Sequence, residues 1–119
     1  MIFALRYRLF ARADRVADET VEDWWLPIRV PGTRRAALAA VRSSSRGFED
    51  LLGRIRVPTL VLWGKEDKIL PPQEGLRLSS AIPKARLVVL PDTGHLPQEE
   101  TPEEFSHAVS QFLDEVSRR

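Results

Sequence analysis

The apolar residues change rhythm once along this chain. Through the first half they recur at helical spacing. Leu5, Leu9, Ala13 and Val16 fall three or four residues apart and predict an amphipathic helix over about Ile2 to Val16. Asp18 to Thr20 reads as a polar break. Thr20, with Asp23 three residues on, resembles a capping box that opens a short helix through Trp24, Trp25 and Leu26. Pro27 and the Pro31-Gly32 pair end it. Thr33 then stands as the cap of a helix of strong formers, Arg34 to Ser43. Phe48 to Leu52 makes one more turn, closed by Gly53.

At Val57 the helical rhythm gives way to continuous runs. Pro58-Thr59-Leu60-Val61-Leu62-Trp63, stopped by Gly64, lacks alternation and predicts a strand buried on both faces, as parallel strands are. Pro71-Pro72 opens a helix to about Ala81, weakened by Gly75 and followed by Pro83. Leu87-Val88-Val89-Leu90, stopped by Pro91, is a second strand. Strand, helix and strand in this order make a βαβ unit, so the strands are expected to run parallel with a right-handed crossover. Thr101 as N-cap, Pro102 at the first helical position and Glu104 closing a capping box predict the last helix. Phe105, Ala108, Val109, Phe112, Leu113 and Val116 form its apolar face. His107 falls off that face and is expected to be exposed.

Composition narrows the class without naming it. The chain has 119 residues, 43% of them hydrophobic and 29% charged, which predicts a soluble, folded chain of about one domain. The absence of cysteine excludes a disulfide framework, a thiolate zinc site and a cysteine nucleophile. No run approaches the ~18–20 apolar residues that span a bilayer. A net charge of +1 gives no general reason to expect nucleic acid. A cytoplasmic chain with no cofactor, metal, nucleic-acid or membrane partner is therefore expected. The charge is uneven, with eleven arginines against seven acids in residues 1–56 and seven bases against ten acids in residues 57–119. A basic front half suits a phosphate or membrane surface, but these arginines are interleaved with Ala and Leu, as on a solvated helical face. Arg6, Arg8 and Arg12 near the amino terminus fit a transit peptide as well as an ordinary amphipathic helix, and the helical spacing favours the helix.

The chemistry sits in two loops after the strands. Gly64 to Pro71 carries Glu66 and Asp67, and Pro91 to Pro97 carries His95. Ligands of open parallel sheets bind at this carboxyl edge. An acid and a histidine are thus expected on one rim. A carboxylate accepting the Nδ1–H of an imidazole fixes its tautomer and leaves the far nitrogen to act as a base. Asp67 and Glu66 both remain candidates for the acid.

These residues carry a family resemblance. Val57-Pro58-Thr59-Leu60-Val61-Leu62-Trp63-Gly64-Lys65-Glu66-Asp67 resembles the acid-bearing strand and loop of the α/β-hydrolase superfamily. Leu90-Pro91-Asp92-Thr93-Gly94-His95, with Glu99-Glu100-Thr101-Pro102-Glu103 after it, resembles the histidine loop and last helix of that family, in which the acid also precedes the histidine. The resemblance covers about Ile55 to Leu113 well, and residues 1–54 resemble the helical cap more loosely. It implies an α/β fold in part: a helical front half, residues 1–54, as partial cap, and residues 55–119 as the carboxyl-terminal part of the core with two parallel strands. It implies Asp67 as triad acid and His95 as general base, with Tyr7, Trp24 and Trp25 as pocket-lining candidates from the cap or as cap–core packing.

The nucleophile has no counterpart. No G-x-S-x-G string occurs. Ser43-Ser44-Ser45-Arg46-Gly47 is nearest, but Ser45 follows a helix rather than a strand and lies only 22 residues before Asp67. The resemblance therefore implies a carboxyl-terminal piece of a hydrolase of ester, amide, epoxide or halide substrates, inactive alone. Two other readings stay open. One is a docking module or decayed gene product, needing a partner chain or dimer to cover the edges of a two-stranded sheet. The other is a His–Asp base catalyst without a covalent intermediate.

Overall fold

Two parallel strands form the scaffold. The computed structural model describes residues 2–43 and 49–118. Strand β1, Thr59–Gly64, pairs with β2, Ala85–Leu90, in the register Thr59↔Ala85 through Gly64↔Leu90. Helix α5, Pro72–Ala81, connects them as the βαβ pattern requires. Four helices precede the sheet: α1 Ile2–Leu9, α2 Asp18–Trp25, α3 Thr33–Ser43 and α4 Glu49–Leu52. Two follow it, α6 Pro97–Glu100 and α7 Pro102–Ser117. Among the described residues no helix is long and apolar enough to cross a membrane.

The sheet is sandwiched between helices. Alternation sends successive side chains to opposite faces. Trp63 meets α5 at Gly75, where an added Cβ would stand 2.9 Å from the indole ring. Arg86, Val88 and Leu90 alternate onto the other face and line a groove with Glu104, Ala108 and Gln111 of α7. Arg86 also donates to Glu115 of α7 at 2.6 and 2.7 Å. The strands are less buried than their unbroken apolar runs predict. In β2 only Leu90 is buried, and Val89 is 40% exposed. With two strands each has an open edge, so the flanking strands that bury a parallel sheet are not present among the described residues.

The tightest core lies elsewhere. Phe10, Val16, Val21 and Leu96 cluster together, with Leu9 against them, so the front helices pack on the segment that carries His95. This explains where α1 stops. The predicted helix through Val16 breaks after Leu9, because the Leu9 carbonyl accepts the His95 N–H at 2.6 Å. A short 3₁₀ turn, Ala13–Arg15, follows. Arg6 bends this segment back by donating to Ala13 O at 2.8 Å, to Val16 O and to Asp18. Helix α2 starts at Asp18, where a polar break was expected, and its cap position is Ala17 rather than Thr20. Asp18 and Glu19 in the first turn suit the positive end of the helix dipole. Phe48 and Ser45 lie outside the described residues.

Candidate active site

Both functional loops are built from backbone outward. After β1 the chain stays bonded to the end of β2: Lys65 N–H donates to Leu90 O and Glu66 N–H to Thr93 O, each at 2.9 Å. Thr93 N–H returns a bond to the Glu66 carboxylate at 3.1 Å. Asp92, at φ 51°, turns the chain out of β2 through the left-handed region that Asp tolerates. Gly64 lets the two loops touch, and Gly94 lets the histidine loop touch the front segment. A Cβ on Gly64 would lie 2.8 Å from the Gly94 carbonyl carbon, and one on Gly94 would lie 2.7 Å from Ala11 N.

These loops bring Asp67 and His95 together. Asp67 Oδ1 accepts the N–H groups of Ile69 and Leu70 at 2.8 and 2.9 Å. That pins the carboxylate and leaves Oδ2 for His95 Nδ1, 2.8 Å away. The Asp67 side chain is 4% exposed and that of His95 28%. A carboxylate can only accept, so Nδ1 carries the proton and Nε2 is the free base position. Glu66, the other candidate acid, is occupied by Thr93 and does not pair with His95. A cavity of about 170 Å³ opens here, lined by Leu62, Trp63, Leu70 and Pro97 beside Asp67 and His95. Trp63 Nε1–H donates to Leu70 O at 3.0 Å, which fixes the indole wall. An imidazole so held can take a proton from a hydroxyl or water and keep the resulting charge next to a carboxylate.

The aromatic candidates lie apart from this cavity. Tyr7 is exposed, although its carbonyl accepts Lys68 Nζ at 3.2 Å. Trp24 is exposed, and Trp25 carries the Arg34 guanidinium 5.7 Å from its ring centre. His107 is exposed, as its position on α7 predicts.

Two residues behave otherwise than their sequence pattern predicts. Thr101 occupies the cap position of α7, but its hydroxyl lies 3.2 Å from both Pro97 O and Thr93 Oγ1 and makes no cap bond. Glu100, read as part of a helix start, is buried. One oxygen accepts Arg12 N–H and the other accepts Gly94 N–H at 2.6 Å. The unpredicted helix α6 places it there. Only the Glu-Glu pair before Thr101-Pro102 marked the site, and nothing local announces burial. Beside it, the Arg12 guanidinium donates to Asp14 at 3.0 and 3.1 Å, which holds that carboxyl below its ordinary range and the guanidinium above its own.

Known proteins resemble this chain in sequence and fold. Residues 5–102 match the family described as the alpha/beta hydrolase fold. An uncharacterized hydrolase of Bacillus subtilis, YugF, is 30% identical over 82% of this chain and 36% of its own length. A 2-hydroxy-6-oxononadienedioate/2-hydroxy-6-oxononatrienedioate hydrolase of Cupriavidus pinatubonensis is 38% identical over 65% of this chain and 27% of its own length. The chain thus spans about a third of these curated relatives. Among solved structures, a thermophilic esterase from Thermogutta terrifontis superposes with a TM-score of 0.76 at 34% identity, over 97% of this chain and 43% of the esterase. With its paired loops, two-strand parallel sheet and family match, the chain belongs to the α/β-hydrolase family.

Proposed function

We propose that this chain carries the acid–histidine arm of a hydrolase site, with Asp67 orienting and His95 acting as general base. The observation that carries this reading is the 2.8 Å contact between His95 Nδ1 and Asp67 Oδ2 at the carboxyl rim of two parallel strands. His95 takes the proton of an attacking hydroxyl and later activates the water that releases the product. Asp67 holds the imidazole in the Nδ1–H tautomer and stabilises its protonated form. The nucleophile and the oxyanion donors come from protein beyond these 119 residues, since no G-x-S-x-G string occurs among them. Residues 1–54 act as part of a helical cap and residues 55–119 as the end of the core.

The substrate is a small molecule hydrolysed at a carbonyl. The relatives' own names support this, an esterase and hydrolases of oxo-dienedioates. The apolar walls Leu62, Trp63, Leu70 and Pro97 suit a hydrocarbon part next to that carbonyl. Alone, the chain is expected to leave an activated ester unhydrolysed.

A chimera tests the reading. The leading part of the Thermogutta terrifontis esterase is joined to this chain where the two superpose. Ester hydrolysis that vanishes in His95→Ala is the expected result. Turnover that survives His95→Ala contradicts it.

A further inference from the structure

A second carboxylate beside the site is buried without a charged role of its own. Glu100 is 4% exposed. Burying a carboxylate is costly unless its lone pairs are satisfied. Here both oxygens are used, and by backbone groups far apart in sequence: Arg12 N–H on the front segment and Gly94 N–H in the histidine loop. Between these two bonds, the residue after Gly94 makes a third link, His95 N–H to Leu9 O at 2.6 Å. Gly94 itself sits too close to Leu9 and Ala11 for any side chain. The backbone that carries the imidazole is therefore clamped on one side by Glu100 and on the other by Leu9. Its ring then faces Asp67 at 2.8 Å.

We propose that Glu100 is a positioning residue for His95, locking the front segment Leu9–Arg12 to the histidine loop so that Nδ1–H meets Asp67. The inference rests on the reading of Asp67 and His95 as an acid–base pair. A carboxylate suits the task because it accepts at both oxygens and carries no donor. Glutamine has the same shape, but its amide nitrogen can only donate, so it must face one of the two N–H groups unpaired. The front segment thereby influences the imidazole through the backbone of Gly94 and His95. Removing the clamp lets the ring turn away from Asp67 and revert to the Nε2–H tautomer.

The test is the proton and nitrogen spectrum of the His95 ring in the 119-residue chain and in Glu100→Gln. In the unsubstituted chain a low-field Nδ1 proton, bonded to Asp67, is expected. In Glu100→Gln that signal is lost, and exchange of the Gly94 amide quickens by about tenfold, the equivalent of one net hydrogen bond. A merely structural role would lower stability and leave the tautomer of the folded protein unchanged. Retention of the signal in folded Glu100→Gln, with or without the Gly94 protection, overturns the inference and leaves the Asp67–His95 pair intact. Absence of the signal from the unsubstituted chain sinks the acid–base pair and this inference together. If Glu100→Gln does not fold, Glu100→Asp replaces it. Its charged but shorter side chain reaches only one of the two N–H groups, so the same loss is expected, and retention again overturns the proposal.

Discussion

At the scale of single residues, the site depends on backbone approach more than on side-chain packing. Gly94 illustrates this. A Cβ there meets Leu9 O at 2.5 Å and Ala11 N at 2.7 Å, both backbone atoms that cannot swing aside. Gly94→Ala is therefore expected to destabilise at the upper end of the ~1–3 kcal/mol typical of overpacked sites. Denaturant unfolding at one fixed protein concentration measures it, and an unchanged midpoint contradicts the close approach. Asp67 and His95 were legible in the sequence because each follows a strand end and a glycine lies near. The sequence could not rank Asp67 above Glu66. That choice is made by the Ile69 and Leu70 N–H groups, which aim Asp67 at the ring, and by Thr93, which engages Glu66. The burial of Glu100 was hidden for a related reason. Its partners, Arg12 and Gly94, lie in segments whose meeting no local pattern encodes.

Among the elements, the back half followed local rules and the front half did so only in part, α3 forming where its strong helix formers lie. The βαβ unit, its parallel pairing and the last helix formed where periodicity and prolines placed them. The first helix ended early because tertiary bonds to the histidine loop took its carbonyl end. The capping boxes at Thr20 and Thr101 did not form, Thr20 lying inside α2 and the Thr101 hydroxyl bonding to Pro97 and Thr93 instead. Helix α5 holds the clearest conflict between local and tertiary preference. Gly75 costs the helix about 1 kcal/mol relative to alanine. An alanine Cβ, however, would press on Trp63 at 2.9 Å. Gly75→Ala is thus expected to lower stability in the natural chain and to raise it in a Trp63→Leu background. Unfolding curves of the two singles and the double decide this, and the same sign in both backgrounds refutes the packing account.

For the whole molecule, surface is the informative quantity. The accessible area is 8680 Å², against about 6500 Å² expected for a single domain of this mass. The radius of gyration is 16.1 Å, against about 13–14 Å for a compact chain of this length. The excess area exceeds the ~800 Å² per partner that a standard interface covers. Open sheet edges and exposed Val57, Leu76, Val89 and Leu113 contribute to that surface. Sedimentation of the isolated chain is expected to show association that grows with concentration, and a compact monomer with cooperative unfolding contradicts this. The central claim, that Asp67 and His95 work as one acid–base pair, is tested most directly by kcat in the esterase chimera. Asp67→Asn keeps the shape of the side chain and removes the carboxylate that fixes the imidazole tautomer. A loss of kcat on the order of 10⁴ is predicted, as for a triad whose acid becomes an amide. A chimera whose kcat is unmoved by Asp67→Asn would contradict the account.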